Sequence, residues 1–127
     1  MIPKDRKYTK AHEWVKEQNG ELVVGITEHA QEELGDITFI EMPEVDEKYE
    51  QGADCAEIES VKAASEIYMP ITGVVSAINE ELEDEPEKVN NSPYEQGWII
   101  KIKDYDQSQL NELLDAKAYS KFLEDTQ

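Results

Sequence analysis

Lys62 is the residue of this chain whose type and setting best suit it for chemistry. It lies in the segment Glu59-Ser60-Val61-Lys62-Ala63, between two runs with the residue pattern of β-strands. We expect a hairpin with arms at residues 53–60 and 64–69 and with Val61 and Lys62 at its tip. Small neighbouring serines and alanines leave the ammonium group accessible, which suits covalent attachment of a cofactor. Spacing alone leaves open an ordinary exposed lysine in a turn.

The other residue types give little support for a self-contained catalytic site. The chain has two histidines, His12 and His29, and one cysteine, and these residues do not have the spacing of metal ligands. Neither a glycine-rich phosphate-binding loop nor a Gly-x-Ser-x-Gly nucleophile motif occurs. Carboxylate pairs carry little information in a chain with 30 acidic residues. We therefore expect no catalytic residue and no metal site.

The net charge of −18 restricts the classes of partner. Nucleic acid is disfavoured because phosphate binding requires a basic face, and an anionic membrane surface is disfavoured for the same reason. No apolar run is long enough to cross a bilayer. Basic protein partners are favoured, since opposite charge speeds encounter. The acidic residues could instead serve only to keep the protein in solution.

Length and composition predict one domain over residues 1–127, with a core at about residues 7–103 and C-terminal helices at about residues 108–124. Cys55 is the only cysteine, which excludes an internal disulfide and is consistent with a reducing compartment. The first residues do not form a signal-peptide pattern. We expect a bacterial cytoplasmic protein, or alternatively a processed protein of the mitochondrial matrix.

Short strand patterns separated by turn signals dominate the first hundred residues. The expected strands are residues 7–15, 22–26, 37–42, 53–60, 64–69, 74–78 and 98–102. Asn19-Gly20 predicts a hairpin turn. Thr27 is expected to cap a short helix over residues 30–34, and Gly35 is expected to end it.

The remaining segments predict peripheral structure. Residues 80–91 are acidic and contain Pro86, so we expect an exposed loop there. Ser108 is a candidate cap for one helix, and a second helix over residues 116–123 would present Tyr119, Phe122 and Leu123 on one face. Many short strands followed by helices predict a small β-sandwich or barrel with peripheral helices.

Several motifs, in order along the chain, are similar to those of one family. They are Lys7-Tyr8-Thr9, His12-Glu13-Trp14-Val15, Val24-Gly25-Ile26-Thr27-Glu28-His29-Ala30-Gln31, Leu34-Gly35-Asp36-Ile37, Glu59-Ser60-Val61-Lys62-Ala63-Ala64-Ser65 and Asn91-Ser92-Pro93-Tyr94-Glu95-Gln96-Gly97-Trp98. On these segments the chain resembles the H protein of the glycine cleavage system from about Lys7 to Leu123.

The resemblance implies a mainly β, lipoyl-domain-like barrel-sandwich hybrid with short peripheral and C-terminal helices. It implies lipoate joined to Lys62 by an amide, as N6-lipoyllysine. The carrier would have no turnover of its own. It would take an aminomethyl group from glycine decarboxylase (P protein) to the aminomethyltransferase (T protein). It would then pass reducing equivalents to dihydrolipoamide dehydrogenase (L protein). Lipoyl-attaching enzymes are the remaining implied partners.

The lipoyl group and the Lys62 side chain together would form a long arm, which is loaded when it carries the aminomethyl group. The resemblance also implies a surface cleft into which the loaded arm folds back. Carboxylates hold its cationic amine there, and Glu13 and Glu66 occupy the matching positions. The alternative is that both are merely solvated acids. His29 is a further candidate for the cleft lining, with a structural, hydrogen-bonded histidine as its alternative. Three aromatic residues are expected in the core, or alternatively in the cleft wall: Trp14, Tyr94 and Trp98.

Three related classes of protein are alternatives to this carrier. Biotin carriers typically have methionine on both sides of the lysine, whereas Val61 and Ala63 stand here. Lipoyl domains of 2-oxoacid dehydrogenases usually have aspartate before the lysine, where this chain has Val61. An H-like paralogue that relays lipoyl groups to other proteins, or serves a stress-related modification system, is the third alternative.

Overall fold

The computed structural model describes residues 2–126. Its strands are β1 (Lys7–Tyr8), β2 (Glu13–Gln18), β3 (Glu21–Ile26), β4 (Ile37–Glu41), β5 (Lys48–Tyr49), β6 (Asp54–Ser60), β7 (Ala64–Tyr68), β8 (Gly73–Ile78) and β9 (Ile100–Lys103). Its helices are α1 (Glu28–Leu34), α2 (Glu81–Asp84), α3 (Lys88–Asn91), α4 (Gln107–Asn111) and α5 (Ala116–Asp125). None of these helices is long and apolar enough to span a membrane.

The strands form two antiparallel sheets. The larger sheet has the order β1-β2-β3-β9-β8-β5, and the smaller sheet has the order β4-β6-β7. Strands β6 and β7 form a hairpin in which Glu57 opposes Glu66 and Glu59 opposes Ala64. The predicted mainly β fold with peripheral and C-terminal helices is therefore confirmed.

The residues predicted to form a hairpin turn and to begin and end α1 have these roles in the structure. Asn19 and Gly20 have φ angles of 55° and 82°, and they join β2 to β3 as a two-residue hairpin turn. The Thr27 hydroxyl accepts a hydrogen bond from the Ala30 amide and so caps α1. Gly35 ends that helix at φ 80° and ψ −155°, a conformation that glycine adopts without steric cost.

The main core lies between the sheets. Its buried side chains come from both sheets and include Val15, Val24, Ile40, Ile58, Ile67, Val75, Ile100 and Ile102. A second cluster lies on the opposite face of β2 and β3, where Tyr8, Trp14, Val23 and Tyr119 are buried together. The C-terminal helix α5 contributes Tyr119 and Phe122 to it, so the predicted apolar face of this helix is confirmed.

Three expectations about local structure are wrong. Residues 80–91 are not an exposed loop but form α2 and α3, which bury Leu82 and Val89 at 1% and 0% exposure. The first strand is not continuous over residues 7–15, because His12 adopts φ 67° in the turn before β2. Asp106, and not Ser108, caps α4, since its carboxylate accepts from the Ser108 amide.

Candidate functional site

Lys62 lies in the three-residue turn between β6 and β7, as predicted, and its side chain is exposed. Ser60 shapes this turn. Its hydroxyl oxygen accepts from the Lys62 amide at 3.2 Å and from the Ala63 amide at 3.1 Å. Its own amide donates to the Ala63 carbonyl at 2.8 Å. Backbone donors that the hairpin ladder leaves unpaired are thus satisfied locally, which fixes the turn that carries the lysine.

The loop after α1 supports the turn from one side. The Val61 amide donates to the Asp36 carbonyl at 3.0 Å. The aliphatic part of Lys62 lies over Gly35, where an added Cβ would be 3.2 Å from Cε and 3.5 Å from Cδ. The Lys62 ammonium group makes no hydrogen bond or ion pair with residues 2–126. The aliphatic part of the Lys62 side chain therefore packs against Gly35, whereas its ammonium group is accessible.

The side chain of Asn90, in α3, forms hydrogen bonds with the backbone of this loop. Its side-chain oxygen accepts from the Ile37 amide at 2.9 Å, and its side-chain nitrogen donates to the Gly35 carbonyl at 2.8 Å. The same nitrogen donates to Gln31 of α1 at 2.9 Å. One side chain from the segment expected to be an exposed loop therefore fixes the backbone on both sides of Asp36.

A cleft of about 350 Å³ lies beside the lysine-bearing hairpin, between α1, β7 and the start of β2. Its apolar lining consists of Ala11, Ile26, Ala30, Leu34, Ile58 and Ile67. Its polar lining consists of His12, Glu13, His29, Glu33, Ser65 and Glu66. All three residues predicted for a cleft, Glu13, His29 and Glu66, thus line the same cavity.

Glu13 is buried, with 2% of its surface exposed. One carboxylate oxygen accepts from the Thr9 hydroxyl at 3.0 Å and the other accepts from the Tyr68 amide at 2.9 Å. Burial raises the pKa of Glu13 to about 7, although both hydrogen bonds act in the opposite direction. The alternative of a solvated acid is therefore wrong for Glu13.

Glu66 and His29 lie in more open parts of the cleft. Glu66 is exposed, and its pKa is raised by a hydrogen bond with the neighbouring carboxyl of Asp54 and by the charge of that group. His29 is half-buried, and its Nε2 atom lies 3.2 Å from a carboxylate oxygen of Glu33. Its ring centroid lies 4.5 Å from that of His12.

Two titratable residues of the cleft were not among the candidates predicted from the sequence. Glu33 follows His29 by four residues in α1, so the helical spacing alone could have placed the two side chains together. His12 gave no such signal, because its position depends on a left-handed turn. Trp14 lies in the core as expected, with its indole nitrogen donating to the Pro93 carbonyl at 2.9 Å.

The arrangement combines an anchored, accessible lysine with a cleft that is apolar along much of its lining and carries several carboxylates. Such a cleft can hold a hydrocarbon chain with a cationic end. A metal centre has no comparable support, since residues 2–126 contain no group of three or more histidine, cysteine, aspartate or glutamate side chains placed to hold a metal ion. Cys55 is buried, and burial raises the pKa of its thiol to about 12.

Comparison with known proteins gives a consistent result. Residues 6–126 match the family model described as Glycine cleavage H-protein. A glycine cleavage system H protein of Klebsiella pneumoniae subsp. pneumoniae is 58% identical over 125 residues, covering 98% of this chain and 97% of that protein. One from Escherichia coli O45:K1 is 56% identical with the same coverage.

The fold comparison agrees with the sequence comparison. A crystal structure of a glycine cleavage system H protein from Mycobacterium marinum matches with a TM-score of 0.86 and 35% identity, covering 94% of this chain and 97% of that one. This match confirms the predicted lipoyl-domain-like arrangement of two sheets with short helices. On both sequence and fold, this chain belongs to the glycine cleavage H-protein family.

Proposed function

We propose that this chain is the lipoyl-bearing carrier of the glycine cleavage system, with lipoate attached to Lys62. The observation that carries the proposal is the presentation of Lys62 on a fixed turn beside a cleft with apolar and carboxylate lining. Family membership supports the same role and favours it over a lipoyl relay. When attached, the lipoyl group supplies the disulfide chemistry that carries an aminomethyl carbon and two electrons between enzymes.

The residues of the cleft fit such an arm. Leu34 and Ile67 belong to the apolar lining and would contact a hydrocarbon chain, since apolar surface favours apolar contacts. Glu13, Glu33 and Glu66 add negative charge that would hold a cationic amine. In this arrangement the chain itself binds, orients and shelters the arm, and it contributes no group that makes or breaks a bond.

The proposed partners follow from the carrier role. They are glycine decarboxylase, the aminomethyltransferase, dihydrolipoamide dehydrogenase and the lipoyl-attaching enzymes. The net charge of −18 supports brief encounters with basic surfaces on several partners in turn, because charge steering raises association rates without requiring tight complexes. Bacterial relatives support a location in the bacterial cytoplasm, with the mitochondrial matrix as the location of a processed organellar form.

The first test is the covalent state of the protein. The chain is co-expressed with a lipoyl-attaching enzyme and its intact mass is measured, followed by peptide mapping. We expect an increment of one lipoyl group on Lys62. Lys62→Arg should remain unmodified, and Lys10→Arg, which replaces another exposed lysine, should be modified like the wild type. A biotin-sized increment, or modification at another lysine, would contradict the proposal.

The second test is function in the assembled system. Lipoylated wild-type protein is combined with glycine decarboxylase, the aminomethyltransferase, dihydrolipoamide dehydrogenase and tetrahydrofolate, and glycine-dependent carbon dioxide release is measured. We expect release with the wild type and with Lys10→Arg but none with Lys62→Arg. Failure of lipoylated wild-type protein to support release, or to restore glycine cleavage in a strain that lacks its H protein, would favour the relay alternative.

A further inference from the structure

The C-terminal helix α5 reaches the cleft indirectly, through one buried hydroxyl group. Tyr119 is fully buried, and its hydroxyl oxygen lies 2.8 Å from Nδ1 of His12 and 2.9 Å from the hydroxyl of Thr27. His12 lines the cleft, and Thr27 caps α1, the helix that forms one cleft wall. Tyr119 does not line the cleft. It therefore joins two parts of the cleft wall from behind.

Proton counting sets the direction of these two hydrogen bonds. Thr27 is fully buried, and its hydroxyl oxygen already accepts from the Ala30 amide. Among residues 2–126, the Tyr119 oxygen is the acceptor that the Thr27 hydroxyl proton can reach. If Tyr119 donated to Thr27 instead, the Thr27 proton would be buried without an acceptor, which is unfavourable. Thr27 therefore donates to Tyr119, and Tyr119 donates to Nδ1 of His12.

This direction determines the tautomer of His12. A ring nitrogen that accepts a hydrogen bond carries no proton, so neutral His12 has its proton on Nε2. Burial and the neighbouring His29 both lower the pKa of His12, which favours the neutral ring. Burial raises the pKa of Tyr119 to about 12, so its hydroxyl keeps the proton that it donates. The Nε2 atom of His12 makes no hydrogen bond with residues 2–126.

We propose that Tyr119 is a positioning residue for the cleft, which fixes His12 as the Nε2–H tautomer and so provides one hydrogen-bond donor in a lining otherwise rich in carboxylates. This donor would serve a hydrogen-bond acceptor of the arm, while the carboxylates serve its cationic end. The role for the arm rests on the proposed carrier function. The tautomer of His12 does not rest on it, because it follows from residues of the unmodified chain.

Packing around Tyr119 suits a positioning role. Its ring stacks on Tyr8, with centroids 4.7 Å apart and planes at 9°. Its ring also lies edge-on to His12, with centroids 5.8 Å apart. The His12 carbonyl accepts from the Thr27 amide at 3.0 Å, so the backbone of these two residues is joined as well. The hydroxyl group is thus placed by aromatic contacts that a phenylalanine would keep.

The first experiment uses long-range ¹H–¹⁵N correlation spectra of the unmodified, ¹⁵N-labelled chain at about pH 7.5, above the ordinary histidine pKa of about 6.5. In the wild type we expect the Nδ1 resonance of His12 in the range of unprotonated nitrogen and Nε2 in the range of protonated nitrogen. In Tyr119→Phe, both resonances should move towards the average of a tautomer mixture. Tyr8→Phe keeps the stacked ring and the Tyr119 hydroxyl, so it should give the wild-type pattern.

The second experiment measures how fast the aminomethyl group on the loaded arm is hydrolysed in the same three proteins. This hydrolysis is followed as the release of formaldehyde. A hydrogen bond between neutral groups is worth about a fivefold change, so Tyr119→Phe should release formaldehyde about fivefold faster than the wild type. Tyr8→Phe should match the wild type. Protonated Nδ1 in the wild type, or an unchanged tautomer in Tyr119→Phe, would overturn the tautomer assignment.

An altered tautomer with an unchanged release rate would overturn the positioning role. Failure of the wild-type protein to load at all would contradict the proposed carrier function and the role for the arm, but would leave the tautomer result standing.

Discussion

Glu13 and Tyr68 link the two sheets through a single hydrogen bond, in which the Tyr68 amide donates to a carboxylate oxygen of Glu13 at 2.9 Å. Glu13 begins β2 of the larger sheet, and Tyr68 ends β7, the edge strand of the smaller sheet. An edge strand has amides without a partner strand, and Glu13 satisfies one of them. The same carboxylate lines the cleft, so one side chain takes part both in a contact between the sheets and in the cleft.

The raised pKa of Glu13 predicts how stability depends on pH. Its pKa rises from 4.5 to about 7 on folding, so the folded chain binds more protons than the unfolded chain between these values. The free energy of unfolding must therefore fall as pH rises through this window. The part of this decline that Glu13 contributes between about pH 5 and about pH 8 is about 2–3 kcal/mol. Glu13→Gln should remove most of this decline, measured by urea unfolding at about pH 5 and about pH 8.

A matched control separates this effect from that of the high net charge. Glu87→Gln makes the same change at an exposed position. It should retain the decline between the two pH values that the wild type shows. Equal declines in the wild type and Glu13→Gln would mean that Glu13 titrates in its ordinary range when folded.

The carboxylates of the cleft are expected to lengthen the lifetime of the loaded arm. Glu13→Gln and Glu66→Gln should both release formaldehyde faster than the wild type, because each removes a carboxylate that we propose holds the cationic amine. Exposed Glu66 should contribute about twofold to fivefold, as expected for an exposed ion pair. Buried Glu13 should contribute about tenfold or more, since hydrogen bonds to charged groups are stronger when desolvated. Release at the wild-type rate in both variants would refute the contact.

Local chemistry made several parts of this fold predictable. Asn19-Gly20 requires positive φ angles, and Thr27 and Gly35 supply a cap and a stop for α1, whatever the rest of the chain does. The motif around Lys62 behaves in the same way, since Ser60 and its neighbours form the turn among themselves.

The burial of short segments could not be predicted from the pattern of apolar residues in the sequence. Leu82 and Val89 lie in helices of four residues each, which are too short to show a helical period among acidic neighbours. Glu13 is followed by two buried residues because β2 is covered on both faces, by the second cluster at Trp14 and by the main core at Val15. Strand alternation therefore could not reveal that Glu13 is buried.

Gly35 predicts a link between backbone conformation and lipoyl attachment. Gly35→Ala would place a Cβ 3.2 Å from Cε of Lys62 and would adopt φ 80°. We expect a loss of about 1–3 kcal/mol in the free energy of unfolding and slower attachment of lipoate to Lys62. Gly52→Ala is the control, because it has φ 87° but nothing within 4 Å of the added Cβ. It should lose stability without slower attachment, measured by intact mass over time.

Asn90 predicts that the support of the turn extends to α3. Asn90→Ala would remove hydrogen bonds to the Ile37 amide, the Gly35 carbonyl and Gln31, leaving half-buried backbone groups unsatisfied. We expect a loss of about 2–3 kcal/mol in the free energy of unfolding. Hydrogen exchange at the Val61 amide should also become faster, because its acceptor is the Asp36 carbonyl between the two released groups.

The neighbouring residue Asn91 provides the control for this prediction. It is exposed, so Asn91→Ala should change neither the free energy of unfolding by more than about 0.5 kcal/mol nor the exchange rate at Val61. Faster exchange at Val61 in Asn90→Ala alone would show that α3, through the loop at residues 35–37, restrains the turn that carries Lys62. Equal exchange in both variants would mean that Ser60 and its local hydrogen bonds hold the turn without help from α3.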